Sequence, residues 1–155
     1  MSFLERERDY VRTFFSAFDW VRYEEPSVRN AIAVPLRSAR VALVSTAGAY
    51  VTGQERFSDG DDGDAGSRTI PSGARVRFAH SGYDTGRAYR DRDVVFPLAT
   101  LHGLAADGEI GEVAPRAFSF MGYIPETTEL LADTAPRVAR ELIADSVDLA
   151  LLVPA

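Results

Sequence analysis

The segment HSGYD at 80–84 brings together three side chains that can perform acid–base chemistry. His80 ends an alternating run, and Tyr83 and Asp84 follow just after a glycine turn. The imidazole can act as a general base, with Asp84 orienting it or Tyr83 donating a hydrogen bond to a developing oxyanion. The same residues also fit a structural role, in which His80 caps its strand and Asp84 stabilises the turn. We predict His80, Tyr83 and Asp84 as catalytic candidates, with the structural alternative left open.

A second candidate region is STAGAYVTGQ at 45–54, which follows a short apolar run. The small and hydroxyl-bearing residues Ser45, Thr46 and Gly48 would let backbone N–H groups approach an anion or a carboxylate ligand. The pattern matches neither the dinucleotide-binding GxGxxG motif nor a P-loop. A plain turn that packs Gly48 against the next element explains it equally well, so substrate binding here is one of two hypotheses.

The acidic run DGDDGD at 59–64 raises the question of a metal site. It fails the EF-hand pattern, because Gly63 stands where a third ligand is needed and Ile70 stands where the bidentate Glu belongs. The chain has two His and no Cys, and its sequence contains no HxxxH or HxH pair. We therefore predict neither a metal site nor a bound cofactor.

Composition excludes several classes of function. The absence of Cys excludes disulfides, thiolate metal sites and Cys nucleophiles carried by this chain. All 17 basic residues are Arg, so no Lys is present for a Schiff base. A net charge of -6 at pH 7 argues against non-specific nucleic-acid binding. With no apolar run long enough to span a bilayer and a highly charged N-terminus, we expect a cytoplasmic protein that binds neither nucleic acid nor membrane.

Periodic apolar patterns predict the elements that must position these residues. Strands are predicted at 40–46, 75–80, 117–124 and 147–153, with short extended structure at 94–96. Helices are predicted at 3–21, 98–105 and 127–144, the last one kinked or reopened by Pro136. Because strands and helices alternate, the predicted fold is α/β: a three-layer domain with a mainly parallel sheet, plus an N-terminal amphipathic helix. We predict one domain over 1–155, with that helix inside 1–25 and a polar surface loop at 54–73.

The stretch DGEIGEVAPRAFSFMGYIP at 107–125 is unusually apolar for a segment rich in Gly and Pro. Loops exposed to water are usually polar, whereas this stretch contains Ile110, Val113, Phe118 and Phe120. Ligands of open α/β sheets gather beyond the carboxyl ends of the strands. We therefore predict that this stretch folds back as a lid or wall of a strand-end cleft that faces His80.

Five segments carry a resemblance to a known family. They are VALVSTAGAYVTGQ (41–54), SRTIP (67–71), HSGYDTGRAYRDRDVVFPLATL (80–101), GEIGEVAPRAFSFMGYIP (108–125) and VDLALLVPA (147–155). In these segments, and in their order, the chain resembles the family of the glycine/sarcosine/betaine reductase selenoprotein B component and the related D-proline reductase subunit. The resemblance covers nearly everything after Arg40.

The resemblance implies reductive cleavage of C–N bonds in small amines or imino acids, by selenocysteine or cysteine and an external dithiol within a multi-subunit complex. It implies substrate handling by residues of the strand-end loops, namely Ser45, Thr46, His80, Tyr83, Asp84, Ser119 and Met121. This chain has no thiol or selenol. We therefore expect a thiol- or selenol-bearing protein partner and a homo- or hetero-oligomer.

Three functions remain open on the sequence. The first is a reductase-component-like subunit that binds a small amino- or imino-acid-like metabolite in the strand-end cleft, with the redox group supplied by a partner. The second is a non-catalytic accessory protein that docks through its aromatic N-terminal helix and the apolar 108–125 stretch. The third is a non-redox enzyme with His80 as general base.

Overall fold

The computed structural model describes residues 30–58, 60, 62–80 and 82–155, together with Thr13 and Glu24. The chain divides into two compact units, Met1–Ala31 and Ile32–Ala155, and the second is described here. The N-terminal helix predicted at 3–21 lies outside the described residues apart from Thr13. In the part of the chain that the structure describes, no helix has the length and apolar character needed to cross a membrane.

The second unit is built from short strands and helices. The strands are β1 (Arg40–Ser45), β2 (Ala49–Tyr50), β3 (Ser67–Pro71), β4 (Arg77–Phe78), β5 (Glu112–Val113), β6 (Arg116–Phe120) and β7 (Leu149–Val153). The α-helices are α1 (Thr85–Arg90), α2 (Leu98–Ala106) and α3 (Ala135–Ala144). Turns of 3₁₀-helix cover Leu36–Ser38 and Arg92–Val94, and a π-helical turn at Leu130–Thr134 leads into α3.

The main sheet is organised around β1. On one side β7 pairs with β1 along its length, and on the other side β5 and then β6 pair with it, all in parallel. The pairing register shifts by two residues between β5 and β6, at Ala114 and Pro115. The remaining strand of this sheet, β3, joins β6 antiparallel, and β2 and β4 form a separate antiparallel ribbon. The predicted α/β fold with a mainly parallel sheet is confirmed.

Helices cover both faces of β1, so the unit has three layers. Val41 and Leu43 belong to a core cluster that includes Leu101 of α2. Val44 packs against a second cluster that includes Val138 of α3. Neighbouring residues of a strand point to opposite faces, which explains why one uninterrupted apolar run serves both clusters.

The segment between β2 and α2 departs most from the sequence-based predictions. The 54–73 segment is not a surface loop throughout, because β3 occupies 67–71 with Ile70 fully buried. Phe57 is also buried, with the Arg68 guanidinium 4.1 Å from its ring centroid. The strand predicted at 75–80 is reduced to the two residues of β4, and Val94 ends a 3₁₀ turn rather than an extended segment. These elements are short, and the segment around them is rich in Asp, Gly and Arg. Apolar periodicity in the sequence therefore does not reveal them.

The apolar 107–125 stretch forms the interior of the sheet rather than a lid. Val113 belongs to β5, Phe118 and Phe120 belong to β6, and Ile110 joins the larger core cluster. Only the residues from Met121 to Pro125 lie beyond the strand end. The strand predicted at 117–124 corresponds to β6, and the prediction of a lid is wrong for most of the stretch, because most of its apolar side chains are buried by packing around the sheet.

An ion-pair network ties the start of β6 to the end of α3. Arg116 donates to both carboxylate oxygens of Asp145, at 2.8 Å each, and its Nη1 lies 2.6 Å from Oε2 of Glu141. The hydrogen bond and the charge of Arg116 lower the pKa of Asp145. Burial opposes that shift but is the smaller effect. The carboxylate of Asp145 is therefore more strongly favoured in the folded state than in the unfolded state.

We expect this network to make stability fall at acid pH. A carboxyl group with a depressed folded-state pKa stabilises fully above its unfolded value, about pH 4, and its contribution is lost as the pH falls through the folded value. Asp145→Asn should therefore lower stability at pH 7 and flatten its decline below about pH 4. Urea denaturation at pH 7 and pH 3 measures the stability and its pH dependence. Asp107→Asn, at an exposed position, is the control. An unchanged pH dependence in Asp145→Asn would contradict the assignment.

Candidate functional site

The loops after β1, β6 and β7 meet at one end of the sheet. The Thr46 N–H donates to the Val153 carbonyl at 3.1 Å, and the Gly48 N–H donates to the Phe120 carbonyl at 2.9 Å. The Thr46 hydroxyl oxygen accepts a hydrogen bond from the Ala155 N–H at 2.9 Å. These bonds join the carboxyl ends of three parallel strands, where ligands of open α/β sheets bind.

The backbone conformation of Gly48 helps to place His80 at this strand end. It has a φ of +62°, and it precedes β2, which pairs antiparallel with β4 just before His80. The Ala79 N–H donates to the Gly48 carbonyl at 3.0 Å. A Cβ on Gly48 would lie 2.0 Å from the Ala79 carbonyl oxygen. Only glycine allows both the backbone conformation and this close approach.

The imidazole of His80 is oriented by the backbone. Its Nδ1 accepts a hydrogen bond from the Gly82 N–H at 2.8 Å, and its ring centroid lies 4.5 Å from that of Tyr83. Burial lowers the pKa of His80, so the ring is neutral at pH 7. Because Nδ1 accepts, the proton of the neutral ring resides on Nε2. This Nε2 is shielded from solvent and has no hydrogen-bond partner among the described residues.

The backbone after β6 packs against this unpartnered nitrogen. A Cβ on Gly122 would lie 2.5 Å from Nε2 of His80 and 2.7 Å from the Ala155 carbonyl oxygen. Gly122, just after β6, therefore lies against the imidazole on one side and against the Ala155 carbonyl on another. Most buried polar atoms are hydrogen-bonded, so the unpartnered Nε2 of His80 needs an explanation.

Tyr83 and Asp84 are held by contacts of their own. The Tyr83 hydroxyl donates to the Ala47 carbonyl at 2.8 Å, and burial raises its pKa to about 12, with Tyr89 as a smaller contributor. The phenol is therefore protonated at neutral pH. Asp84 accepts from the Gly86 N–H at 2.9 Å and caps α1, and its second oxygen lies 3.6 Å from Nε of Arg87. The hydrogen bond that orients His80 comes from Gly82 rather than from Asp84.

Three other candidates are buried in the framework of the site. The Ser45 hydroxyl donates to the Val95 carbonyl at 2.6 Å, and that of Ser119 accepts from the Ala49 N–H at 2.7 Å. Met121 packs in a small cluster with Phe57 and Ala79. The structure thus brings His80, Tyr83, Thr46 and Gly48 together at the strand end, while Ser45, Ser119 and Met121 support their loops.

A cavity of about 220 Å³ lies beside the strand end. It is lined by Tyr83, Asp84, Arg87, Ala88, Val94, Val95 and Ala155. Its wall is largely aliphatic, and Asp84 and Arg87 add one charge of each sign. The sequence-based candidates include only Tyr83 and Asp84 of this set. The spacing of Asp84 and Arg87 at i and i+3 at the start of a helix was the available signal for the second charge.

Metal binding finds no support within the described ranges. No group of three or more His, Asp or Glu side chains is placed there to hold a metal ion. The charged groups of the cavity are one carboxylate and one guanidinium, a set suited to an organic zwitterion rather than to a cation alone.

Comparison with known proteins identifies similar chains. The family model for glycine/sarcosine/betaine reductase selenoprotein B (GRDB) matches residues 22–155. D-proline reductase subunit gamma of Acetoanaerobium sticklandii is 33% identical over 136 residues, which make up 86% of this chain and 55% of that relative. The chain thus spans about half the length of the curated relative that it matches. No solved structure gives a significant match.

Proposed function

The chain belongs to the glycine/sarcosine/betaine reductase selenoprotein B family, and on that premise we propose that it is a reductase subunit that binds a small amino- or imino-acid-like metabolite. The observation that carries the proposal is the strand-end cavity with Asp84 and Arg87 in its lining. In this proposal the redox thiol or selenol comes from a protein partner, because these 155 residues contain neither.

The lining of the cavity is complementary to an amino acid. The guanidinium of Arg87 can hold a carboxylate through paired hydrogen bonds, and the Asp84 carboxylate can hold an amine or imine nitrogen. Ala88 and Val95 offer aliphatic contact to the carbon skeleton. The volume of about 220 Å³ lies below the roughly 300–1,000 Å³ of pockets for drug-sized ligands. A small metabolite is therefore the best-fitting occupant.

His80 is proposed as a positioning residue behind this site, because its Nε2 is shielded from solvent beside Gly122 and it does not line the cavity. Its Nδ1 lone pair is occupied by the Gly82 N–H, and its Nε2–H has no acceptor among the described residues. A neutral imidazole in this tautomer stabilises negative charge but does not abstract a proton through Nε2. This argues against the general-base role, and the imidazole is proposed to act on the ligand only by holding Tyr83 in place. Tyr83, whose hydroxyl is bound to the Ala47 carbonyl, forms the wall between His80 and the cavity.

A non-catalytic accessory role is the second candidate, and an exposed apolar edge favours it. Among the described strands, β7 pairs only with β1, and Leu152 on β7 is 70% exposed. Apolar side chains at an unpaired edge are suited to contact with another protein. The same surface could serve the partner of a reductase subunit, so ligand binding must separate the two candidates.

Isothermal titration with glycine, sarcosine, betaine and D-proline tests the proposal. We expect at least one of them to bind saturably, and Arg87→Gln to weaken that binding by about tenfold or more, as the loss of a charge-assisted hydrogen bond does. His80→Phe should weaken it less than Arg87→Gln does, because the phenyl ring can still pack against Tyr83. Arg140→Gln, an exposed arginine on α3, is the matched control and should bind as the wild type does.

Two outcomes would count against the proposed ligand site. One is the absence of binding for all four compounds, which would leave the accessory role as the better account. The other is equal affinity in Arg87→Gln and the wild type, which would show that the ligand does not use the strand-end cavity.

A further inference from the structure

A second groove of about 300 Å³ has a strongly cationic lining. It is lined by Thr52, Arg75, Val76, Arg77, Tyr89 and Arg92, and shares no residue with the strand-end cavity. Three of its six lining side chains are arginines, and none is acidic. Like charges that face one groove repel each other unless an anion lies between them.

Within the described residues, salt bridges do not neutralise the three arginines of the groove. Arg75, Arg77 and Arg92 form no salt bridge with any carboxylate in the described part of the chain. Five other described arginines do, including Arg40 with Glu112 and Arg116 with Asp145, whereas Arg37, Arg90 and Arg140 form none either. The chain has 23 acidic residues against 17 arginines, so the unpaired set does not follow from a surplus of basic residues.

Arg92 is the most constrained of the three. Its Nε is shielded from solvent and has no hydrogen-bond partner among the described residues. A guanidinium that is partly withdrawn from water without an acceptor loses hydration, and a bound anion would compensate for that loss. Tyr89 is also fixed, since its hydroxyl oxygen accepts from the Phe78 N–H at 3.1 Å, which leaves its own hydrogen for a ligand.

The neighbouring larger cavity is less suited to an anion. It shares Val76 and Arg92 with the groove, but its lining also includes Asp91 and Asp93. Asp93 accepts a hydrogen bond from the Thr100 N–H at 2.7 Å and so remains in place at the start of α2. The two carboxylates of the larger cavity balance the charges of Arg90 and Arg92, whereas the groove carries three arginines and no acidic residue, which makes the groove the preferred position for an anion.

We propose that this groove binds a phosphate-class oxyanion, either inorganic phosphate or the phosphate group of a small metabolite. Guanidinium groups form paired hydrogen bonds with phosphate oxygens, and two or three of them neutralise a doubly charged group. Tyr89 and Thr52 add hydroxyl donors at the edge of the groove. The site is independent of the proposed amino-acid site, because the two linings do not overlap.

Titration of the full chain with sodium phosphate and with glycerol 3-phosphate, at constant ionic strength set by sodium chloride, tests this site. We expect saturable binding of at least one probe, weakened about tenfold or more by Arg77→Gln. Arg92→Gln should weaken binding similarly. Arg77→Gln is the better test, because the Arg77 side chain is exposed and its replacement should not disturb folding. Tighter binding of free phosphate would indicate an ion site, and tighter binding of glycerol 3-phosphate a metabolite site.

The matched control is again Arg140→Gln, which should leave phosphate binding unchanged. The proposal is overturned if neither probe binds saturably, or if Arg140→Gln weakens binding as much as Arg77→Gln does. Binding of a poly-glutamate peptide with no binding of either phosphate probe would also overturn it, since the groove would then be a surface for acidic protein segments.

Discussion

Replacement of Gly48 by alanine is expected to lower the free energy of unfolding by about 3–5 kcal/mol. Two costs combine at this position. A non-glycine residue is strained at a φ of +62°, and the new Cβ would lie 2.0 Å from the Ala79 carbonyl oxygen. That oxygen belongs to the backbone and cannot rotate away. Urea denaturation followed by circular dichroism measures the loss.

Gly103→Ala is the matched control for this prediction. Gly103 lies inside α2, and a Cβ there would meet no atom within 4 Å. We therefore expect this change to stabilise the protein, by roughly 0.5–1 kcal/mol, because alanine favours a helix more than glycine does. If Gly48→Ala were as stable as the wild type, the contact between the strand end and Ala79 would not be needed for folding.

Phe118→Ala is expected to cost about 3–5 kcal/mol of stability as well. The side chain is fully buried on β6 and packs with Phe120 and Val138, so its removal leaves a cavity between the sheet and α3. The Arg116 guanidinium lies 5.8 Å from the ring centroid and would lose that neighbour too. The midpoint of urea denaturation should fall, with little change in the slope.

Leu152→Ala provides the contrast for Phe118→Ala. Leu152 lies on β7 with 70% of its surface exposed, so its truncation should change stability by only about 0.5 kcal/mol. Equal losses in the two variants would mean that the smaller core cluster contributes less to the fold than its burial indicates.

Some elements of the fold could be predicted because their signals are local. The run of apolar residues in β1 is continuous because both faces of that strand are buried. A similar run predicts β7, although β7 is an edge strand of the described sheet on which Leu151 and Leu152 are exposed. The end of α2 could be anticipated from Gly108, which has a φ of +74° and follows the last turn of the helix. Each of these signals is contained within about ten residues of sequence.

Other elements depend on partners that are distant in the chain. The strand β3 is held by antiparallel pairing with β6, about fifty residues later, and its own sequence contains few apolar residues. The central position of β5 and β6 likewise follows from pairing with β1. This pairing is why the apolar 107–125 stretch, predicted as a lid apart from its strand at 117–124, is part of the sheet.

By itself, the sequence determined the α/β class, the strand-end position of the candidate residues, the lack of any thiol and the family. Only the tertiary structure decided how those residues are used: which nitrogen of His80 carries the proton, that Gly122 approaches it, and that Arg87 joins Asp84 at one cavity. The physical reason is that residue type and local periodicity are properties of short segments. Tautomers, cavities and unpaired charges depend on atoms that folding brings together from distant parts of the chain.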